Sequence, residues 1–255
     1  MSILSMAYDT NCIFSFKRCV FEYKNRLFVI YCASDNYHMS IDTYFDGTNR
    51  DRNRVFETIH EFLYLYGWHN NCYFYYLGSA SMSGTKDLLL KRNTPLYREK
   101  MRYIDLQLFY NILDSNCSNV IKNAISLYND GLHSNDDAYA FLCYYKVIDL
   151  FNDGNSSSTV DWINNNIDNI ESNWTLCNEF IKNTDNIGKW LKNTCRNRIA
   201  HILLYDKKVG ILSYKSDDLD SLIIGQHIMK LLAELIIKQN MSNIKLEKIN
   251  IIQVD

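Results

Sequence analysis

Proline is almost missing from this chain of 255 residues, which holds only Pro95, and glycine is scarce at nine. So few helix breakers and so few forced turns favour helices. An excess of one charge is missing too. The formal net charge is −2 with 22% charged residues, which excludes both a disordered acidic tail and a globally basic nucleic-acid protein. Any nucleic-acid binding must come from a local patch. No apolar run approaches the ~18 residues of a membrane span, and no charged-then-apolar leader opens the chain. The eight cysteines, Cys12, Cys19, Cys32, Cys72, Cys117, Cys143, Cys177 and Cys195, include no C-x-x-C pair. They read as ordinary buried thiols of a cytoplasmic protein, with no metal and no cofactor implied. What the chain has in quantity is apolar residues, 47%, enough for one large core or two small ones. Its abundance of Asn, Ile, Lys and Tyr reads first as nucleotide bias in the source genome.

The pattern changes near Pro95. Before it, Cys12–Val20, Arg26–Ala33, His38–Phe45 and Cys72–Leu77 are short, rich in Phe, Tyr, Ile and Val, and bounded by polar residues, which predicts strands. Between them, Val55, Phe56, Ile59, Phe62, Leu63 and Tyr66 recur at helical spacing over Asp51–Tyr66. The stretch Gly78–Thr85 reads as a loop. After Pro95 the periods are helical: Arg98–Asp114, Asn119–Asn129, Asp136–Phe151, Thr159–Glu171, Thr175–Asn183, Ile187–Tyr205 and Asp217–Gln239. Ser118, Asn135 and Ser158 are placed as caps, and Gly131, Gly154 and Gly210 fall in predicted breaks. The expectation is an α+β chain with a β-rich N-terminal domain over 1–95 and an all-α bundle over 96–255.

The residues that carry chemistry lie on the predicted Ile187–Tyr205 helix. At 100° per residue, Ile187, Leu191, Cys195, Ile199 and Ile202 form a core stripe. Lys189, Lys192, Asn193, Arg196, Asn197, Ala200 and His201 fall on the other side, with Asn197 and His201 one turn apart. From Lys182 to Lys208 the basic residues are Lys182, Lys189, Lys192, Arg196, Arg198, Lys207 and Lys208, opposed only by Asp185 and Asp206. Such a face suits phosphate oxygens. A histidine titrating near neutrality can exchange protons with a ribose 2′-hydroxyl or a leaving 5′-oxygen. A guanidinium suits the charge that develops on phosphorus. A second pair, Arg54 and His60, has similar spacing but lies in the β-rich half with no basic face around it, and reads as coincidence.

Arg196-Asn197-x-x-x-His201, with Ile199-Ala200 before the histidine, resembles the R-[polar]-x-x-x-H signature of the HEPN superfamily. The run Tyr145-Lys146-Val147-Ile148-Asp149 resembles the first core helix of its larger members, with Asp149 where that run has a glutamate. Asp161-Trp162-Ile163-Asn164 fits the same subgroup, often labelled by homology as methylamine-utilisation proteins. The likeness covers about 97–240. It implies a helical bundle that pairs as a homodimer and cuts RNA without metal, leaving a 2′,3′-cyclic phosphate and a 5′-hydroxyl. On that resemblance Arg196 and His201 are catalytic, Asn197 supports them, and Asp149 pairs with or positions Arg196. Lys189, Lys192 and Arg198 bind RNA. Tyr145 and Lys146 are further candidates, although Tyr145 reads first as core. Many HEPN nucleases act as toxins or in antiviral defence; Leu203, where short toxins carry a tyrosine, argues against the short toxin type.

Three readings compete: an endoribonuclease, a non-catalytic HEPN module that binds RNA or nucleotide or only dimerises, and a nuclease gated by the N-terminal half. In the third, that half would meet a regulatory protein or ligand. Tyr73–Tyr76 would belong to such a surface, or simply to a strand with alternating buried rings.

Overall fold

Burial alternates from one residue to the next along the early strands, which gives a sheet with one buried face. In β1 (Ser2–Thr10) the side chains of Leu4, Met6, Tyr8 and Thr10 are buried and those between them are not. The same alternation holds in β3 (Arg18–Tyr23), β4 (Arg26–Cys32) and β5 (His38–Phe45). Our computed structural model describes residues 2–32, 38–82, 102–104, 111–134, 136–200, 216–241 and 244–254. These fall into two units: 1–117 with 244–255, and 118–243.

The first unit is built on an antiparallel six-stranded sheet in the order β10-β3-β4-β5-β1-β6, where β6 is Phe74–Met82 and β10 is Asn250–Val254. Lys24 and Asn25, both at positive φ, close the β3–β4 hairpin, the backbone of a two-residue turn matched to strand twist. Helix α1 (Asn49–Asn70) lays Val55, Ile59, Phe62 and Tyr66 on the buried face, with the Phe62 ring 4.7 Å from Phe21. Thr48 caps it, accepting from the Asp51 amide. Two small ribbons complete the unit: β2 (Cys12–Phe14) parallel to β7 (Arg102–Ile104), and β8 (Asn111–Leu113) antiparallel to β9 (Leu246–Lys248).

The second unit is helical: α2 (Asn119–His133), α3 (Asp137–Phe151), α4 (Ser156–Asn166), a short 3₁₀ turn, α5 (Thr175–Lys182), α6 (187–200) and α7 (Ser216–Asn240). Helix α3 is its centre. Phe141, Tyr144, Tyr145, Val147 and Ile148 are all buried, and α3 packs on both α2 and α7. Full burial of a side chain such as Phe141 stabilises by about 1.5–3 kcal/mol. Helix α7 contributes Ile228, Met229, Leu232, Ala233, Ile236 and Ile237 to the same core.

The α+β class and the helical bundle are as the sequence implied; several local expectations are corrected. Arg98–Asp114 is no single helix, because 102–104 and 111–113 are strands. Residues Cys12–Val20 make two strands rather than one, broken before Arg18. Gly78–Met82 continues β6 and pairs with β1, the register shifting beside Ala7 and Tyr8. Ser118 caps α2 as expected, but Asn155, not Ser158, caps α4, and Asp136 caps α3. Gly131 is no helix break. It sits inside α2 where a Cβ would lie 2.6 Å from the Tyr144 ring, so the glycine permits a close helix crossing. Gly154 does end a helix, with φ +67° and its amide bonded to the Asp149 carbonyl. Pro95, Asn135, residues 83–85 and Gly210 lie outside the described residues. All eight cysteines are free.

Candidate functional site

Helix α6 departs from ideal geometry where the motif begins. It opens with an α turn, Ile187–Trp190, continues as a π segment, Leu191–Arg196, and returns to α over Asn197–Ala200. A π turn closes i→i+5 bonds and holds one residue more than an α turn. Side chains beyond it therefore lag by about 100°. Ile187, Leu191 and Cys195 are buried, as the core stripe requires. Arg196 is half-buried, as are Lys192 and Asn197, and its guanidinium charge opposes the rise in the pKa of Tyr145 on α3.

Two glycines let neighbouring helices approach α6. A Cβ on Gly188 would sit 2.6 Å from the Val160 carbonyl oxygen, and its amide donates to Asn164 Oδ1 at 2.9 Å. On α7, a Cβ on Gly225 would meet Cys195 Sγ at 2.8 Å. Cys195 Sγ is 3.7 Å from the Ser221 carbonyl, and burial pushes its thiol up to about 12, so it is inert packing rather than a nucleophile. Asn186 caps the start of the helix through the Lys189 amide.

At the motif itself, Arg196 Nη1 donates to Asn197 Oδ1 at 3.0 Å, and Asn197 Nδ2 donates to Asn193 Oδ1 at 3.4 Å. The arginine is thus held by its own neighbour. Asp149, expected to pair with Arg196 or to position it, accepts from Thr159 Oγ1 at 2.6 Å, and Thr159 is fully buried. The charges of Asp149 and Arg196 both act on Tyr145. Burial pushes the Tyr145 phenol up, the Asp149 carboxylate adds to the rise, and the Arg196 guanidinium and Ser156 oppose it. The Tyr145 hydroxyl oxygen is buried, and the Ser156 side chain offers it a hydrogen bond. Lys189 is exposed, while Lys192 and Arg198 are half-buried. Lys146 is exposed on α3. His201, Leu203, Lys207 and Lys208 lie outside the described residues.

The sequence does not single out Thr159 or Ser156; Tyr145, a further candidate that reads first as core, is indeed buried. No spacing rule marks Thr159 or Ser156, since each is one more position on a buried or capping face. The Arg54–His60 pair is no site of this kind. Arg54 is exposed, while the His60 ring packs 3.9 Å from Phe56 with Nδ1 2.8 Å from the Phe56 carbonyl, and burial lowers its pKa. Among the described residues no cluster of His, Cys, Asp or Glu has the geometry of a metal site, and no helix is long and apolar enough to cross a membrane.

Residues 124–238 match the family model described as methylamine utilization protein MauJ, a HEPN-like family. The match lies wholly within the helical unit and spans Asp149, Arg196 and His201. The likeness to the HEPN superfamily therefore holds for this unit. No curated protein and no solved structure matches the chain.

Proposed function

We propose that the helical unit is a metal-independent endoribonuclease. The observation that carries this reading is the half-buried Arg196, at the end of the π segment and held by Asn197, five residues before a histidine in a HEPN-like segment. In the proposed reaction His201 takes the proton of a ribose 2′-hydroxyl or delivers one to the departing 5′-oxygen. The 2′-oxygen attacks phosphorus, the P–O5′ bond breaks, and the products are a 2′,3′-cyclic phosphate and a 5′-hydroxyl. Arg196 offers its donor fork to the non-bridging oxygens as charge builds on them. Asn197 keeps the guanidinium in place. Lys189, Lys192 and Arg198 hold flanking phosphates, a role that should appear as salt-sensitive binding.

As in HEPN proteins generally, two copies would pair so that both motif helices form one cleft. A role as a toxin or in antiviral defence, with the sheet unit meeting a regulatory protein or ligand, follows the same likeness. The test is cleavage of labelled RNA in excess EDTA by the wild type, Arg196→Ala and His201→Ala. Each substitution is expected to lower kcat by about 10²–10⁴-fold. Wild-type cleavage that neither substitution reduces would put the site elsewhere. Binding of RNA without cleavage by the wild type would favour the non-catalytic module.

A further inference from the structure

The sheet of the first unit ends on β6, which pairs with β1 on one side and, among the described residues, with no strand on the other. An edge strand offers a row of backbone N–H and C=O groups, and proteins blunt such edges with charge, proline or shortness. Strand β10, at the opposite edge, has only five residues. Strand β6 has nine and holds neither a charged residue nor a proline. Its irregularity is a bulge: Tyr8 faces Tyr76 and Ala7 faces Gly78, so Leu77 has no opposite number in β1.

Both faces of β6 are large at one end and small beyond the bulge. On the side of α1 stand Phe74 and Tyr76, opposite the buried Thr10 and Tyr8, then Ser79 and Ser81, opposite the buried Met6 and Leu4. On the other face stand Tyr75, then Gly78 and Ala80, with Met82 at the end. Helix α1 runs along the strand and repeats the division. Phe56 and His60 pack on Tyr76 with ring centroids 5.2 and 5.4 Å away, whereas at the small end Arg52 reaches Ser79 Oγ at 3.5 Å. A strand added at this edge packs evenly if it is small beside Phe74–Tyr76 and large beside Ser79–Ser81. A second β6, run antiparallel, has that pattern. With the two Leu77 bulges side by side, Phe74 meets the partner's Ser81, Tyr75 the partner's Ala80 and Tyr76 the partner's Ser79, each on its own face of the sheet. An uncharged strand also meets its own copy without repulsion.

We propose that β6 is the docking edge for a second copy of this chain, the two β6 strands joining antiparallel into one sheet continuous through both copies. This interface belongs to the sheet unit, is separate from any pairing of the motif helices, and does not rest on the ribonuclease reading. The bulge fixes the register, because a slip would set one Leu77 against regular strand. A copy held at the sheet brings its own helical unit, which the chain joins to the sheet unit at both ends. The effective concentration at which two helical units meet rises accordingly.

The experiment measures hydrogen exchange of the β6 amides by mass spectrometry in the full-length chain, at high and at low protein concentration. Two double variants test the register, since like charges directly opposite repel and unlike charges attract. Tyr75 and Ala80 lie on the face away from α1, Tyr75 exposed and Ala80 half-buried, so charges there spare the core. In Tyr75→Lys/Ala80→Lys every new charge faces a like charge of the copy; in Tyr75→Lys/Ala80→Glu every one faces its opposite. The wild type should exchange slowly when concentrated and about tenfold faster on dilution. The first variant should exchange fast at both concentrations, and the second should regain the wild-type protection. Fast wild-type exchange at every concentration would overturn the proposal, as would protection lost in both variants. Protection that neither dilution nor the first variant removes would mean that another segment covers the edge, which also overturns it. If the first variant fails to melt cooperatively, the wild-type dilution series decides: protection of β6 that grows with concentration, without a like change in β10, upholds the interface, and its absence sinks it.

Discussion

Thr159 shows how much of a site can rest on one side chain outside it. Its hydroxyl is fully buried and spends its proton on Asp149 Oδ1. Thr159→Val keeps the shape and deletes the donor, leaving a half-buried carboxylate one partner short. Stability should fall by about 1–3 kcal/mol in urea unfolding, and an unchanged midpoint would show that water replaces the hydroxyl without loss. A different residue governs the acid response. His133, near the end of α2, is held neutral by burial, which lowers its pKa to about 4. In the unfolded chain it takes a proton near 6.5. Between those values the unfolded state binds more protons, so stability rises with pH across that window and is lost as pH falls through it. The loss reaches up to about 3 kcal/mol at pH 4. His133→Asn should flatten this segment of a stability-versus-pH curve; an unaltered slope would assign the effect to other groups. Chemistry-bearing residue types such as Arg196, Asn197 and Asp149 can be picked out of the sequence because few roles suit them on a helix. A hydroxyl like that of Thr159 or Tyr145 cannot, because its meaning depends on which partner is buried with it.

At the scale of elements, long amphipathic helices were legible and short or strained pieces were not. Helices α2, α3, α5 and α7 begin and end within a few residues of where their apolar spacing placed them. Strands β7, β8 and β9 have three residues each, too few to show a period, and their partners lie far along the chain. Strand β1 was missed because Ser, Ala and Asp dilute its alternation. The π segment is illegible for a different reason: no residue type encodes i→i+5 bonding, and its helix is locked by neighbours at Gly188 and Gly225. Those glycines give a ranked prediction. Gly188→Ala would drive a Cβ to 2.6 Å from a backbone oxygen that cannot turn aside, whereas Gly225→Ala meets a thiol at 2.8 Å. Both should destabilise by about 1–3 kcal/mol, Gly188→Ala the more. Gly225→Ala should also lower RNA cleavage by displacing the turn that carries Arg196. Full activity in that variant would mean α7 does not set the arginine's position.

The whole molecule is organised around an insertion. The sequence suggested two domains in series with a boundary near Pro95. In the structure, residues 244–255 return to the first unit, β10 pairing with β3 at a sheet edge and β9 pairing with β8. The helical unit 118–243 is thus a loop of the sheet unit. Such a return is hidden from any reading that moves along the chain, since only pairing between residues far apart in the sequence reveals it. The point of insertion is tight: the Asp114 amide donates to the Lys245 carbonyl at 3.0 Å, and the Ser115 amide to Glu247 Oε2 at 3.2 Å. The two chain crossings stand one hydrogen bond apart, so a few flexible residues can span them, and a short loop costs less closure entropy than the long one it replaces. Val55, Ile59, Phe62 and Tyr66 of α1 are buried within the first unit, which holds its own sheet and helix. A chain in which a short Gly/Ser linker replaces 118–243 should therefore fold, with β-rich circular dichroism and one cooperative melt. A chain that stays unfolded would show that the sheet depends on its insert. The two units would then have to be treated as one folding body, and any signal reaching the sheet would act on the stability of the helices that carry Arg196.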